Sequence, residues 1–106
     1  MTFLPIDDEN APLYTIGQVA DMLDVQLAFL RRLDEQEIVV PVRSAGGQRR
    51  YSRREIDQVA EALQLIGEGV TLAGVRHVLA LRHQVAALEA ELQQYRRATG
   101  GRPGDV

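Results

Sequence analysis

The sequence predicts a mainly α-helical domain that carries one small β-hairpin and ends in a long helix. Three observations predict it. Apolar residues recur at steps of three and four through most of the chain, and Ser or Thr precedes several of those runs. One β-branched stretch, Ile38-Val39-Val40-Pro41-Val42, is followed by a Gly46-Gly47 turn. The last periodic segment, residues 72–99, holds no breaker stronger than Gly74.

Residues 1–12 read as a flexible arm, with Pro5, Pro12 and the acid run Asp7-Asp8-Glu9 but no apolar period. Thr15 is placed to cap a first helix, with Gln18 three residues on as the second half of a capping box. Ile16, Val19, Ala20 and Leu23 share one face of it. Asp24-Val25 is a tight connection. A second helix is expected over residues 26–36, with Leu27, Leu30 and Leu33 on the apolar side and Arg31 and Arg32 turned outward. Residues 38–43 are extended, and Gln48-Arg49-Arg50-Tyr51 returns as the second strand of a hairpin whose tip is Gly46-Gly47. Ser52 and Glu55 form a second capping-box pattern. The helix behind it places Ile56, Val59, Ala60, Leu63 and Ile66 on one side and stops at Gly67-Glu68-Gly69. Thr71 caps the long final helix.

Within that last helix, Val78, Leu81, Val85, Leu88, Leu92 and Tyr95 alternate steps of three and four, the a/d seam of a coiled coil. An isolated helix with an apolar stripe is marginal in water, so the seam predicts self-association as a homodimer. Two short helices, a glycine-tipped hairpin and a capped helix together spell a winged helix-turn-helix. The expected organisation is an arm over 1–12, a DNA-binding domain over 13–77, a dimerisation helix over 78–97 and a disordered tail over 98–106.

Charge points to the ligand. The chain has a formal net charge of −3 and its twelve basic residues are all arginine. Five of them (Arg43, Arg49, Arg50, Arg53 and Arg54) lie in a stretch of twelve residues without an acid. The preceding residues 15–42 hold five acids against two arginines. Cations pooled this sharply make one face for anions, and double-stranded DNA is the leading partner. Arginine suits the role because its planar fork pairs phosphate oxygens two at a time. The second helix would lie in the major groove, the wing beside the backbone, and the N-terminus of the third helix toward phosphate. At the start of the second helix Gln26 is the one good base-edge donor. Leu27, Ala28 and Phe29 can meet thymine methyls but tell few base pairs apart.

Other functions find no support. Without cysteine there is no disulfide scaffold, thiolate metal site or redox thiol. No apolar run approaches the ~20 residues of a membrane span, and the first residues lack the pattern of a secretory signal, so a cytoplasmic protein is expected. His77 and His83 are six residues apart and diverge on a helix, which makes a poor metal site. Glu89 and Glu91 diverge likewise, and Ser44 and Ser52 have no basic His nearby, so no enzyme is expected. Gly46-Gly47 lacks the rest of a phosphate-loop pattern. No cofactor is implied.

The chain also resembles a known family. Tyr14-Thr-Ile-Gly-Gln-Val-Ala is similar to the opening of MerR-type regulators. Leu30-Arg31 with Asp34, Ile38 and Pro41 resembles their second helix and its exit. Gly46-Gly-Gln-Arg-Arg-Tyr-Ser52, with Glu55-Ile56, resembles their wing and third helix, and Gly69-Val-Thr-Leu-Ala-Gly-Val-Arg76 their fourth. The likeness covers residues 13–97 and is nearest to the HspR heat-shock repressor subgroup. It implies a homodimer joined by antiparallel C-terminal helices that reads an inverted repeat in a promoter, as a repressor. It further implies DNA contacts from Arg31, Arg43, Arg49, Arg50 and Tyr51, with Arg53 and Arg54 beside them. Arg32, turned outward on the second helix, is a further candidate contact. The chain departs from the family with Leu33 where Tyr is frequent, Glu35 where Arg is common, and Glu37 at an expected turn glycine. The chain leaves no room for a separate effector domain, so no small-molecule ligand is expected. The rival reading is a protein-interaction module or heterodimer subunit on the same fold. It would hold a sigma factor or another regulator through the Leu27-Ala28-Phe29 tip and the acidic Asp34-Glu35-Glu37 edge.

Overall fold

The computed structural model of the chain describes residues 8–100. Internal contacts divide the chain into two units, with the boundary between Arg76 and His77. The first unit contains β1 (Tyr14–Thr15), α1 (Ile16–Leu23), α2 (Leu27–Glu35), β2 (Val42–Arg43), β3 (Arg49–Tyr51) and α3 (Arg53–Gly67). Helix α4 (Leu72–Ala98) begins in the first unit, and its remainder is the helical part of the second.

Local side-chain chemistry starts the helices. Thr15 Oγ1 accepts from the Gln18 N–H at 3.1 Å, and Gln18 Oε1 accepts from the Thr15 N–H at 2.8 Å. Ser52 and Glu55 repeat the exchange at 3.1 and 2.9 Å. Each box satisfies two backbone donors at a helix start, and a cap of this kind stabilises by about 1 kcal/mol. The Gly74 N–H donates to Thr71 Oγ1 at 3.1 Å at the start of α4.

The three short helices end alike. The N–H groups of Val25, Ile38 and Val70 reach back to the carbonyls of Ala20, Leu33 and Leu65 at 3.0, 2.8 and 3.0 Å. The N–H groups of Asp24, Glu37 and Gly69 close the inner bonds to Asp21, Asp34 and Ile66. These paired bonds form the Schellman motif, which needs a left-handed residue at its pivot. The pivots are Asp24 (φ 54°), Glu37 (φ 57°) and Gly69 (φ 95°).

The sheet has three antiparallel strands in the order β1-β3-β2, where a two-stranded hairpin was expected. Tyr14 lies opposite Tyr51 and Thr15 opposite Arg50 on one side of β3. Val42 lies opposite Arg50 and Arg43 opposite Arg49 on the other. β1 is the two residues leading into α1, too short to carry an alternation of its own. β2 is also shorter than the extended stretch predicts. The N–H groups of Ile38 and Val39 are committed to the Leu33 carbonyl, and Pro41 has none to give. Val39 and Pro41 are buried instead.

Val19, Leu30, Leu33, Val39, Val59, Ala62 and Val75 are each no more than 1% exposed and make the core of the first unit. The buried stripe of α3 is Ile56, Val59, Ala62 and Leu65, while Ala60 is exposed. The expected stripe is thus displaced, since Ala60 and Ala62 lie about 160° apart around a helix. Leu27, expected on the inner side of α2, is 38% exposed. In the second unit Val78 is half-buried, and Leu81, Val85, Leu88, Leu92 and Tyr95 are all exposed. Of the expected arm, Asp8 to Pro12 are described and residues 1–7 are not. Of the expected tail, residues 101–106 lie outside the described residues, and the Thr99 N–H still donates to the Tyr95 carbonyl.

Candidate nucleic-acid interface

Helix α2 presents a mixed surface. Gln26 is its N-cap, with its carbonyl accepting from the Phe29 N–H at 3.1 Å. The Gln26 side chain makes no capping bond, which leaves its amide available to an outside partner. Leu27 and Ala28 are exposed and Phe29 is half-buried. Arg31 and Arg32 are exposed one turn further on, in i,i+4 relation to Leu27 and Ala28. Neither makes an ion pair among the described residues.

The wing is closed at its tip and tied at its base. The Ser44 N–H donates to the Gln48 carbonyl at 2.7 Å, and the Gly47 N–H to the Ser44 carbonyl at 2.9 Å. Gly47 takes φ 81°, which a side chain disfavours. Arg43 Nη1 donates to the Gly47 carbonyl at 3.2 Å. Arg43 Nη2 and Arg49 Nε both donate to one oxygen, Oδ2 of Asp34, at 3.3 and 2.7 Å. The Arg43 side chain stays 53% exposed, against 17% for Arg49 and 11% for Asp34. Two cations and one anion leave this cluster with a net positive charge. Arg50 is half-buried, and its Nη1 donates to the Arg49 carbonyl at 3.2 Å.

Three expectations change in this light. Tyr51 is 1% exposed and belongs to the core, so in this conformation it offers no surface to DNA. Its place on β3, between Arg50 and the cap Ser52, turns its ring inward. Burial pushes its hydroxyl up to about 12, with Asp34 and Glu55 adding to the rise and Arg49 and Arg43 opposing it. The N-terminus of α3 is also largely spent within the chain. The Arg54 N–H donates to the Glu9 carbonyl at 3.0 Å, and the Glu55 N–H to Ser52 Oγ. Arg54 Nη1 lies 3.6 Å from Glu9 Oε1, so the described end of the arm is docked on the site expected for phosphate. Arg53 is half-buried in a cleft of about 270 Å3 lined by Glu9, Tyr14, Met22, Ile56 and Asp57. The third change concerns the acidic edge. Asp34 faces the two wing arginines, which leaves Glu35 and Glu37 as its exposed members.

The residue missed in the sequence as part of this surface is Asp34 in its tie to the wing. It stands 15 positions from Arg49, and no local spacing announces a pair so far apart. Among the described residues no three His, Cys, Asp or Glu side chains gather as a metal site, and His77 and His83 are both exposed. No described helix is long and apolar enough to cross a membrane.

Comparison with known proteins places these features in a group. The family described as MerR HTH family regulatory protein matches residues 14–81. A putative heat shock protein HspR of Streptomyces coelicolor is 36% identical over 94 residues, covering 88% of this chain and 62% of that protein. The HTH-type transcriptional regulator GlnR of Bacillus anthracis is 32% identical over 76 residues, covering 72% of this chain and 59% of GlnR. The chain thus spans about three-fifths of the length of these curated relatives. A solved transcriptional regulator of the MerR family from Bacillus cereus shares the fold, with a TM-score of 0.60 at 20% identity. That likeness covers 80% of this chain and 71% of the other.

Proposed function

Because the chain belongs to the MerR family of helix-turn-helix regulatory proteins, we propose that it acts in the cytoplasm as a homodimeric repressor reading an inverted repeat in promoter DNA. The observation that carries this reading is the exposed Arg31–Arg32 pair on α2 beside a wing that keeps Arg43 exposed. Guanidinium groups set on a helix and on a hairpin tied to it suit a helix in the major groove with a wing on the backbone. The proposed DNA contacts are Gln26, Arg31, Arg32, Arg43 and Arg50, with Arg54 joining them when Glu9 gives way. Arg49 supports the wing through Asp34, and the partly buried Arg53 holds a secondary place.

The exposed stripe of Leu81, Val85, Leu88, Leu92 and Tyr95 supports pairing through α4. A dimer seated over a promoter excludes polymerase, the simplest route to repression. The interaction-module reading rests on the exposed Leu27 and Ala28 and loses Asp34 to the wing. The test is selection of duplexes from random DNA with the full chain. The expected product is two inverted half-sites at fixed spacing. Enrichment of a lone half-site would overturn the homodimer, and no enrichment would overturn DNA reading.

A further inference from the structure

We propose that Asp34 is a positioning residue that sets the wing against α2, and so fixes how strictly the protein discriminates among DNA sites. The inference rests on the DNA-reading function proposed above. One carboxylate oxygen on α2 receives Arg43 of β2 at 3.3 Å and Arg49 of β3 at 2.7 Å, so both wing strands hang on one side chain of the helix expected in the groove. The partly buried carboxylate is screened less than a surface acid. Charge-assisted bonds of this kind are the strong ones. Arg43 extends the link to the wing tip through the Gly47 carbonyl. The tie therefore runs from α2 through the wing base to its turn without a gap.

The charge has a second effect. Asp34 offsets one of the two cations, which lowers the wing's attraction for any phosphate. An untied wing would carry both arginines free and uncompensated. It would grip all duplexes more tightly and lose the fixed distance between wing and helix that makes one site fit better than another. Asp34 thus trades general affinity for discrimination, which a residue that merely stabilised the fold would not do.

The experiment compares the full-length chain with Asp34→Asn and Asp34→Glu. Fluorescence anisotropy is read over a salt series, on a random-sequence duplex and on the duplex selected by the wild-type chain. Asp34→Asn is expected to bind the random duplex at least as tightly as wild type. Its salt slope should steepen by about two, one more cation being left uncompensated in each copy of the dimer. Its preference for the selected duplex should fall about ten-fold. Asp34→Glu, which keeps the charge, should recover most of that preference. Equal weakening on both duplexes, or an undiminished preference, would overturn the proposal. If Asp34→Asn does not fold by circular dichroism, the Arg49 Nε–H of the wild-type chain decides by NMR. Slow solvent exchange, both free and on the selected duplex, supports the tie; fast exchange in that complex overturns it. A wild-type chain that selects no duplex defeats the DNA-reading function itself, a different result from an Asp34 variant that keeps its preference.

Discussion

Tyr51 sits in the Gly-Gly-Gln-Arg-Arg-Tyr-Ser block that made the chain legible as a DNA binder, yet its side chain serves the core. Its hydroxyl is buried with no hydrogen-bond partner among the described residues. A buried donor left unpaired costs free energy that Phe would not incur. Tyr51→Phe is therefore expected to match or exceed wild-type stability at pH 7 in chemical denaturation. The same burial raises the hydroxyl from 10.0 to about 12 in the folded state. A raised pKa contributes stability that is full below the unfolded value and lost as pH climbs toward the folded one. Wild type should thus lose roughly 2 kcal/mol more than Tyr51→Phe between about pH 10 and 12. A parallel decline in both proteins would place the hydroxyl in contact with water. At this scale the sequence disclosed which residues carry charge but not what they face. Arg49 and Arg54 stood out as free cations, and each has a carboxylate from a distant position beside it, Asp34 and Glu9.

At the scale of elements, the boundaries written in local chemistry were legible and those written by tertiary contact were not. Both capping boxes formed where Thr15-Gln18 and Ser52-Glu55 predicted them, because donors and acceptors three residues apart meet whatever surrounds them. β1 was not legible, because two residues become a strand only through their partners Tyr51 and Arg50. The buried face of α3 keeps the expected Ile56 and Val59 but turns to Ala62 and Leu65, because the apolar residues of α3 occupy more than one face. Gly74 read as a weak point in α4, but a Cβ there would stand 2.8 Å from Val70 Cγ1, so the glycine permits a close approach. The departure at Glu37 proved informative. A glycine is expected at that position, and Glu37 does adopt the left-handed conformation that glycine favours, at φ 57°. Glu37→Gly should stabilise the protein by about 1 kcal/mol, since a left-handed residue with a Cβ costs about 1–2 kcal/mol. No gain in denaturation midpoint would mean that the Glu37 side chain stabilises the turn in another way.

For the whole molecule, two properties have to meet: a basic reading surface in the first unit and an apolar stripe in the second. Leu88 is 63% and Leu92 46% exposed. Burying a fully exposed leucine stabilises by about 1.5–3 kcal/mol, and at these exposures packing against a second copy recovers roughly half of that for each. Leu88→Asp combined with Leu92→Asp is expected to give monomers by light scattering. It should also weaken binding to a two-half-site duplex by about 100-fold or more, through lost avidity. A double variant that stays dimeric would put the pairing surface elsewhere. The central claim is that an acidic chain of net charge −3 engages DNA through a local arginine surface. Its most direct test is the dependence of log affinity on log salt for the wild-type chain on duplex DNA. With four arginines per copy (Arg31, Arg32, Arg43 and Arg50) in a dimer, the slope should be steeper than about −4, approaching −7 if all eight meet phosphates. Arg31→Ala with Arg32→Ala should make it shallower by several units. A wild-type slope near zero, or no binding at low salt, would contradict the account.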